Sequence, residues 1–522
     1  MKVVSYKGRS SDDSIYLIIV FFIIFGVVLV RSAWVSDDAY ITLRMVDNLY
    51  NGFGLTWNPG ERVLASTHPL WLLIIASIYF AAENPYYLLI LLSLTVSIVS
   101  VYLLITKLSQ TSSSSIVGLM LLVSSKAFID YSTSGLENPL THLIYIVFII
   151  LFLNNPKKNN SFFLLGFTAS LGVLNRHDSV LLFLPAIIYL IIKRQSSRDV
   201  LHVALGFSPF IVWEIFSLFY YGFLFPNTAY AKLNTGINGL SLVKQGIFYL
   251  FYSLSSDPAS IIIISVGVVV SFINRDWRKI VISLGMISYL IYVIGIGGDF
   301  MAGRFLSAIV VGAIAIIITA DLTRSLHDVA FAMVAVALIF AATPNPPILY
   351  NTENSDQSGE TVEIYNGIED ERVWYYELTG LLTITRNEPM PRMAWAVLGT
   401  EAKERKQSVV IKESVGVFGY YAGPTVYVID RYALGDPLLS RLKVSDKNNW
   451  RIGHFSRNLP DGYFETIETH ENRIRDANLS AYYDKLSIIT RGSLFDYKRI
   501  IEIFKMNLGV YDSLLDAYIK KQ

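Results

Sequence analysis

Long uncharged apolar runs fill the first two-thirds of the chain, and after about Pro347 charged residues break the pattern every few positions. A bilayer core about 30 Å thick takes about 20 helical residues to cross, and shorter spans occur where polar helix ends face a protein-lined cavity. On that basis spans are expected to start near Ile15, Pro85, Ile116, Pro139, Phe162, Val180, Val200, Ile261, Ile280, Phe305 and Val329, about 11 in all. Three apolar cores are short: Ile116–Ser125, Phe162–Leu174 and Val180–Ile192. The run Ile15–Val30 follows Lys2, Lys7 and Arg9 without a small-x-small cleavage site after it. It reads as an uncleaved first helix with a cytoplasmic start.

Parity decides how the apolar stretch Pro69–Ala82 is read. With that stretch in the membrane plane, the short cytoplasmic segments hold 13 Lys and Arg, against 8 in the longer outer segments. The positive-inside rule favours this arrangement, and counting the stretch as a span would invert every later loop. The expected protein is therefore a polytopic α-helical membrane protein with an N-terminal membrane domain over 1–344. Its first outer loop is about 35–84, with an interfacial helix inside it. Residues 345–522 are expected to form a soluble α/β domain on the extracytoplasmic, periplasmic side of the inner membrane. Alternation around Val415–Val428, broken by Gly419-Tyr420-Tyr421-Ala422-Gly423-Pro424, supports mixed strands and helices there, with a turn at Gly435-Asp436-Pro437.

Composition sharpens this picture. The 522 residues are 53% hydrophobic and only 16% charged, where a soluble chain carries about 25% charged residues. The formal net charge of +1 argues against nucleic acid as a partner. With no cysteine, disulfides, thiolate nucleophiles and cysteine-ligated zinc are excluded. No motif for a nucleotide is present, and none requires a cofactor or a divalent metal.

Nearly every unusual polar cluster falls on the outer side. Asp37 and Asp38 follow the first helix directly. Adjacent acids repel, which raises the pKa of one or draws in an arginine or a metal, and either state suits general-base or nucleophilic work on a hydroxyl. The plainer reading is a helix cap, since Asp before Ala-Tyr-Ile-Thr-Leu-Arg opens a helix; a cap needs only one Asp. Glu137 in Ser134-Gly135-Leu136-Glu137 lies at a membrane edge, as a cap would. Arg176-His177-Asp178 separates two apolar runs; charges at that depth are functional or mutually paired, here by an Arg176–Asp178 pair closing a tight turn. Lys232 follows Phe225-Pro226-Asn227-Thr228-Ala229-Tyr230-Ala231. Gly297-Gly298-Asp299-Phe300-Met301-Ala302-Gly303-Arg304 offers backbone amides and a guanidinium to a phosphate, or is a flexible loop with one snorkelling arginine. A transporter would place charges near the midplane within repeated, broken helices, and no internal repeat is visible.

At these residues the sequence resembles the GT-C superfamily of polyprenyl-phosphate-dependent glycosyltransferases. More narrowly, it resembles the terminal arabinofuranosyltransferase family of mycobacterial cell walls and its pilin-modifying relatives. The resemblance is carried by Asp37-Asp38-Ala39-Tyr40-Ile41, Asn58-Pro59-Gly60-Glu61-Arg62-Val63, Ser134-Gly135-Leu136-Glu137, Gly298-Asp299-Phe300-Met301 and Gly303-Arg304. It continues in Gly419-Tyr420-Tyr421-Ala422-Gly423-Pro424, Asp430, Gly435-Asp436-Pro437-Leu438, Gly453-His454-Phe455 and Pro460-Asp461-Gly462-Tyr463.

The resemblance implies a GT-C helical bundle and a donor like polyprenyl-phosphoryl arabinofuranose, with a glycan or a pilin-like protein as acceptor. The catalytic acid would be Asp37 or Asp38. Arg304, Arg176 and Lys232 would hold the donor phosphate. Asp38, Glu137 or Asp299 would orient sugar hydroxyls or a metal, with Arg44, His68, Asp178 and Tyr420 also at the sugar or acceptor. Two departures stand out: Ser66-Thr67-His68-Pro69 where the family often has Thr-Ser/Asn-Pro, and His177 where a proline is expected. Trp374, Tyr375, Tyr376 and Tyr420 are candidates to stack on sugars, or pack as core. The competing readings are a flippase of a lipid-linked glycan, the same fold with another polyprenyl-phosphate sugar, and a structural assembly protein.

Overall fold

The computed structural model describes residues 12–81, 83–154, 159–320, 343–344, 346–349, 366–383 and 391–521. The chain packs as two compact units. The first gathers Met1–Ser36, Tyr86–Pro209 and Gly239–Glu388; the second gathers Asp37–Pro85, Phe210–Asn238 and Pro389–Gln522. Among the described residues the protein is mostly helical, with one short sheet.

The first unit is built from apolar helices. By length and composition three of the described helices qualify as membrane spans on their own, within Asp12–Ser32, Pro85–Leu108 and Trp277–Gly295. Two further helix pairs pass together, Ser197–Gly206 with Ser208–Tyr220 and Gly239–Ser256 with Pro258–Ile273, the latter bent by 107°. This falls short of the eleven spans expected. The runs from Ile116, Pro139, Phe162, Val180 and Phe305 form helices of 13, 16, 17, 15 and 14 residues, below the about 20 needed to cross unaided. The span expected from Val329 lies outside the described residues. Gly239–Ser256, an 18-residue helix, falls where only an outer loop was expected; Lys244 and the flanking serines hid its apolar stripe.

Helix boundaries follow local chemistry. Thr111 and Ser114 form a capping box at the start of Ser112–Ser124. Asp257 caps Pro258–Ile273, and Asp276 caps Trp277–Gly295. Close crossings in this unit use glycine. A Cβ at Gly267 would meet Ala313 at 2.6 Å, and one at Gly285 would meet the carbonyl of Leu182 at 2.5 Å; small residues let helix backbones approach where lipid supplies no hydrophobic drive. Helix Leu306–Thr319 is the centre of the unit, with almost every side chain buried. Helix Pro85–Leu108 is inside out relative to a water-soluble helix. It buries Ser93, Ser97 and Ser100 and exposes Leu91, Ile98, Val99 and Tyr102, as a helix does when lipid is the solvent. The protein is a membrane protein.

The second unit holds Asp37–Pro85, Phe210–Asn238 and the C-terminal part. Asp37–Tyr50 and Pro69–Ile78 are its first helices, the latter ten residues long with a 3₁₀ turn, Tyr79–Ala81, after it. That is too short to span a bilayer. Strands β1 (Val409–Lys412) and β2 (Tyr427–Asp430) pair in parallel, Val409 opposite Tyr427, and the helix Gly416–Ala422 makes the crossover. The C-terminal part is thus far more helical than the α/β domain expected: the stretch Val415–Val428, whose alternation suggested strand, contains the helix Gly416–Ala422, and among the described residues only two four-residue strands form. Its core forms around helix Ala477–Arg491, where Leu479, Tyr483, Leu486 and Ile489 pack on Leu438, Leu439, Tyr463 and Ile467.

Candidate active site

In the first unit a chain of charges is built around Glu137, which is fully buried. Its carboxylate receives Arg176 Nη1 at 2.7 Å and Arg304 Nη2 at 3.2 and 3.3 Å. Arg176 also makes a bidentate bond to Asp178, at 2.9 and 2.6 Å. Arg304 pairs with Asp299 at 3.7 Å. The short turn His177–Ser179 explains the first contact: it folds Asp178 back onto Arg176, the paired turn that the spacing allowed. The second contact needs tertiary packing, because Glu137 and Arg304 lie 167 positions apart. Asn175 donates to the Glu137 carbonyl at 3.1 Å and Asn138 to the Arg304 carbonyl at 3.1 Å, tying both ends of the cluster to main chain. The Arg176 guanidinium stands 4.6 Å over the Phe305 ring.

Sequence reasoning named all five charged residues of this cluster and assigned the two arginines to phosphate. The structure brings them together and gives each guanidinium carboxylate partners. A buried charge is stable only when paired, so this is how two arginines are kept side by side. Lys232 is not part of this cluster; it is an exposed residue of helix Asn227–Leu233 in the second unit. Tyr375 and Tyr376 are buried, the first stacked on Trp34 at 6.0 Å and the second 4.0 Å beneath Arg372, so they serve the core rather than a sugar.

In the second unit the acid pair separates into two environments. Asp37 opens helix Asp37–Tyr50 and is 8% exposed, whereas Asp38 is half-buried. Both Asp37 oxygens accept main-chain hydrogen bonds from the start of helix Gly416–Ala422: Val417 N at 2.7 Å and Gly416 N at 3.1 Å. Burial pushes the Asp37 carboxyl up to about 7; the Val417 and Gly416 N–H groups oppose this, while the charges of Asp38 and Asp430 add to it. A carboxyl poised near neutrality suits a general base. The capping reading was therefore half right: Asp37 does cap a helix, one 379 positions away.

Arg44 and His68, expected at the sugar or acceptor, both make contacts within the second unit. Arg44 is 1% exposed and donates to the carbonyls of Trp57, Gly419 and Val426 and to Asn58 Oδ1. It ties Trp57 and Asn58 to Gly419 and Val426. His68 is buried, with Nε2 2.7 Å from Thr42 Oγ1. Tyr420 is half-buried, its hydroxyl 3.0 Å from that of Tyr79, which in turn donates to Asp47 at 3.0 Å.

Three buried carboxylates escaped the sequence reading as site residues. Glu61 accepts from Arg491 Nε at 3.0 Å and from the Tyr427 hydroxyl at 2.6 Å. Asp430 accepts from Tyr432 N and Gly435 N, both at 2.9 Å, and burial raises it to about 6. Asp436 accepts from Leu438 N, Leu439 N and the Tyr463 hydroxyl, and burial together with Glu61 raises it to about 7. All three lie in strings that carry the family resemblance, which was the signal available. Among the described residues no three His, Asp or Glu side chains converge as a metal cage.

A family model described as dolichyl-phosphate-mannose-protein mannosyltransferase matches residues 62–214. That stretch contains His68, Glu137, Arg176 and Asp178. A terminal β-(1→2)-arabinofuranosyltransferase of Mycobacterium tuberculosis is 28% identical over 523 aligned positions, covering 82% of this chain and 81% of that protein. A protein of the same description from Corynebacterium glutamicum is 25% identical over 322 positions, covering 52% of this chain and 46% of its own.

Proposed function

We propose that this chain, similar to terminal arabinofuranosyltransferases and to a mannosyltransferase family model, is a GT-C glycosyltransferase of the membrane that moves arabinofuranose from a polyprenyl-phosphate carrier to a glycan or protein acceptor on the extracytoplasmic face. The observation that carries the reading is Asp37, a buried carboxyl held near neutrality at the head of the first outer loop. In this mechanism the acceptor hydroxyl gives its proton to the Asp37 carboxylate as its oxygen bonds to the sugar C1. The bond from C1 to the phosphate oxygen breaks through an oxocarbenium-like state, and polyprenyl phosphate leaves with the electron pair. Arg176 and Arg304 hold that phosphate and stabilise its charge. Glu137 offsets the repulsion between the two guanidinium groups, and Asp178 and Asp299 fix their outer edges. Asp38 and Tyr420 face the sugar or acceptor. Residues 1–344 form the bilayer part and 345–522 the outer part in the same proposal, with the N-terminus cytoplasmic.

The test is transfer from synthetic polyprenyl-phosphoryl arabinofuranose by the purified full-length protein, offered a short arabinan and a pilin peptide. Transfer by the native protein, lost in Asp37→Asn but not in a folded Asp38→Asn, is the expected result. Loss confined to Asp38→Asn would move the base by one residue. Absence of transfer with every polyprenyl-phosphate sugar, accompanied by lipid translocation in vesicles, would replace the enzyme reading with the flippase.

A further inference from the structure

The C-terminal part of the chain meets Asp37 through main chain alone. One N–H goes to each carboxylate oxygen, at 2.7 Å from Val417 and 3.1 Å from Gly416. Neither oxygen bonds to Asp37's own helix. Position 416 also admits nothing larger than hydrogen: a Cβ there would lie 1.9 Å from the Asp37 carbonyl oxygen and 2.8 Å from its Cγ. Gly416 is thus required for close approach of two backbones, since its φ is not among the left-handed ones. Around the same carboxylate stand two like charges, Asp38 on its own helix and Asp430 at the end of β2. The Asp430 carboxylate is itself fixed by the Tyr432 and Gly435 N–H groups.

We infer that the main-chain N–H groups of Gly416 and Val417 are the positioning element of the base, so that the segment from Val415 to Ala422 is an obligatory part of the reaction and not only a docking surface for acceptor. The inference rests on Asp37 being the base. A carboxylate gripped at both oxygens keeps one orientation, with a second lone pair on each oxygen left for a proton from the acceptor. Loss of one grip frees the carboxylate to rotate and removes a bond that favours its ionised form.

Val417→Pro tests this at a buried position. Proline in the first turn of a helix removes an N–H that no intrahelical bond uses, here the one given to Asp37. In full-length protein, Val417→Pro is expected to lower kcat about tenfold at neutral pH. It should also move the acid limb of kcat/KM upward by about one pH unit, the equivalent of about 1.4 kcal/mol. The KM for donor should stay within about twofold. Val417→Ala, which keeps the N–H, should retain the native limb. Should Val417→Pro fail to fold, a backbone ester at position 417 exchanges the N–H for oxygen with less steric change and carries the same expectation. A folded proline or ester variant with native kcat and an unmoved limb, beside an inactive Asp37→Asn, would overturn this inference alone. Native activity in Asp37→Asn would overturn the assignment of the base itself.

Discussion

Glu137 and Asp37 are both buried carboxylates drawn from polar strings at the edge of apolar helices, yet their surroundings are opposite. Glu137 is matched by two guanidinium groups, with Asp178 and Asp299 closing the far sides. Among the described residues no opposite charge pairs with Asp37; its partners are two neutral amides, and the charges of Asp38 and Asp430 repel it. The difference teaches what each can do. A carboxylate between arginines is an anchor whose charge is committed to holding cations. A carboxylate held by amides among other acids exchanges its proton near pH 7, and that is the property a base requires.

The largest expected effect is on chemistry. Asp37→Asn keeps the shape but removes the base and sets an NH2 group against one of the two main-chain N–H donors, and should lower kcat about 10³-fold in the folded protein. Single-turnover transfer with saturating donor measures it; a loss under tenfold would erase the distinction between the two carboxylates. Glu137→Ala should act in the other currency, on the fold. Leaving two buried guanidinium groups without their shared partner costs about 3–5 kcal/mol, seen as a lowered melting temperature in detergent. An equally stable Glu137→Ala protein would show that the cluster relaxes onto Asp178 and Asp299.

The two settings should also answer pH with opposite signs. The Asp37 carboxyl sits at about 7 when folded against an ordinary value of 3.8, so the folded state keeps a proton that the unfolded chain has lost. Its contribution to stability is complete below about pH 4 and disappears as pH climbs through 7. Asp430 and Asp436, raised to about 6 and 7 by burial, act in the same direction. Activity should move the other way, rising about tenfold per pH unit up to about 7 as the base ionises. In the first unit burial pushes up the Asp370 carboxyl, but Lys126, the Val373 N–H and Arg372 together hold it below its ordinary value, so that contribution is lost on acidification. Thermal melts from pH 4 to 8, with and without Asp37→Asn, check the signs; a profile that does not flatten in the variant would remove Asp37 as its source.

A smaller effect tests the join that frames Asp37. A Cβ at Gly435 would lie 2.4 Å from Trp57 Cδ1, and one at Gly419 2.8 Å from the same ring. Gly435→Ala should therefore destabilise by about 2 kcal/mol through overpacking, read as a shift in denaturation midpoint, while Asp37 keeps its bonds to Gly416 and Val417. A matching loss of kcat in folded protein would tie the Trp57 seat to the base as well.

Much of this was written in local pattern. Apolar runs fix the membrane class because a bilayer admits only long stretches without charge. Arg176 and Asp178 are two positions apart, so their pairing needs only a turn. The acid pair after the first helix announces itself because two adjacent carboxylates are costly without a use. The tertiary structure alone decided the rest. It brought Glu137 to Arg304 across 167 positions and Asp37 to Gly416 across 379. It gave Arg44 to the carbonyls of Trp57, Gly419 and Val426, where a sugar contact had been expected. It also drew the C-terminal part into one compact unit with Asp37–Pro85 and Phe210–Asn238. Periodicity reports which face of a segment is apolar, but not which distant segment will cover it. A residue's charge, likewise, acquires a function only from the partners that packing sets beside it.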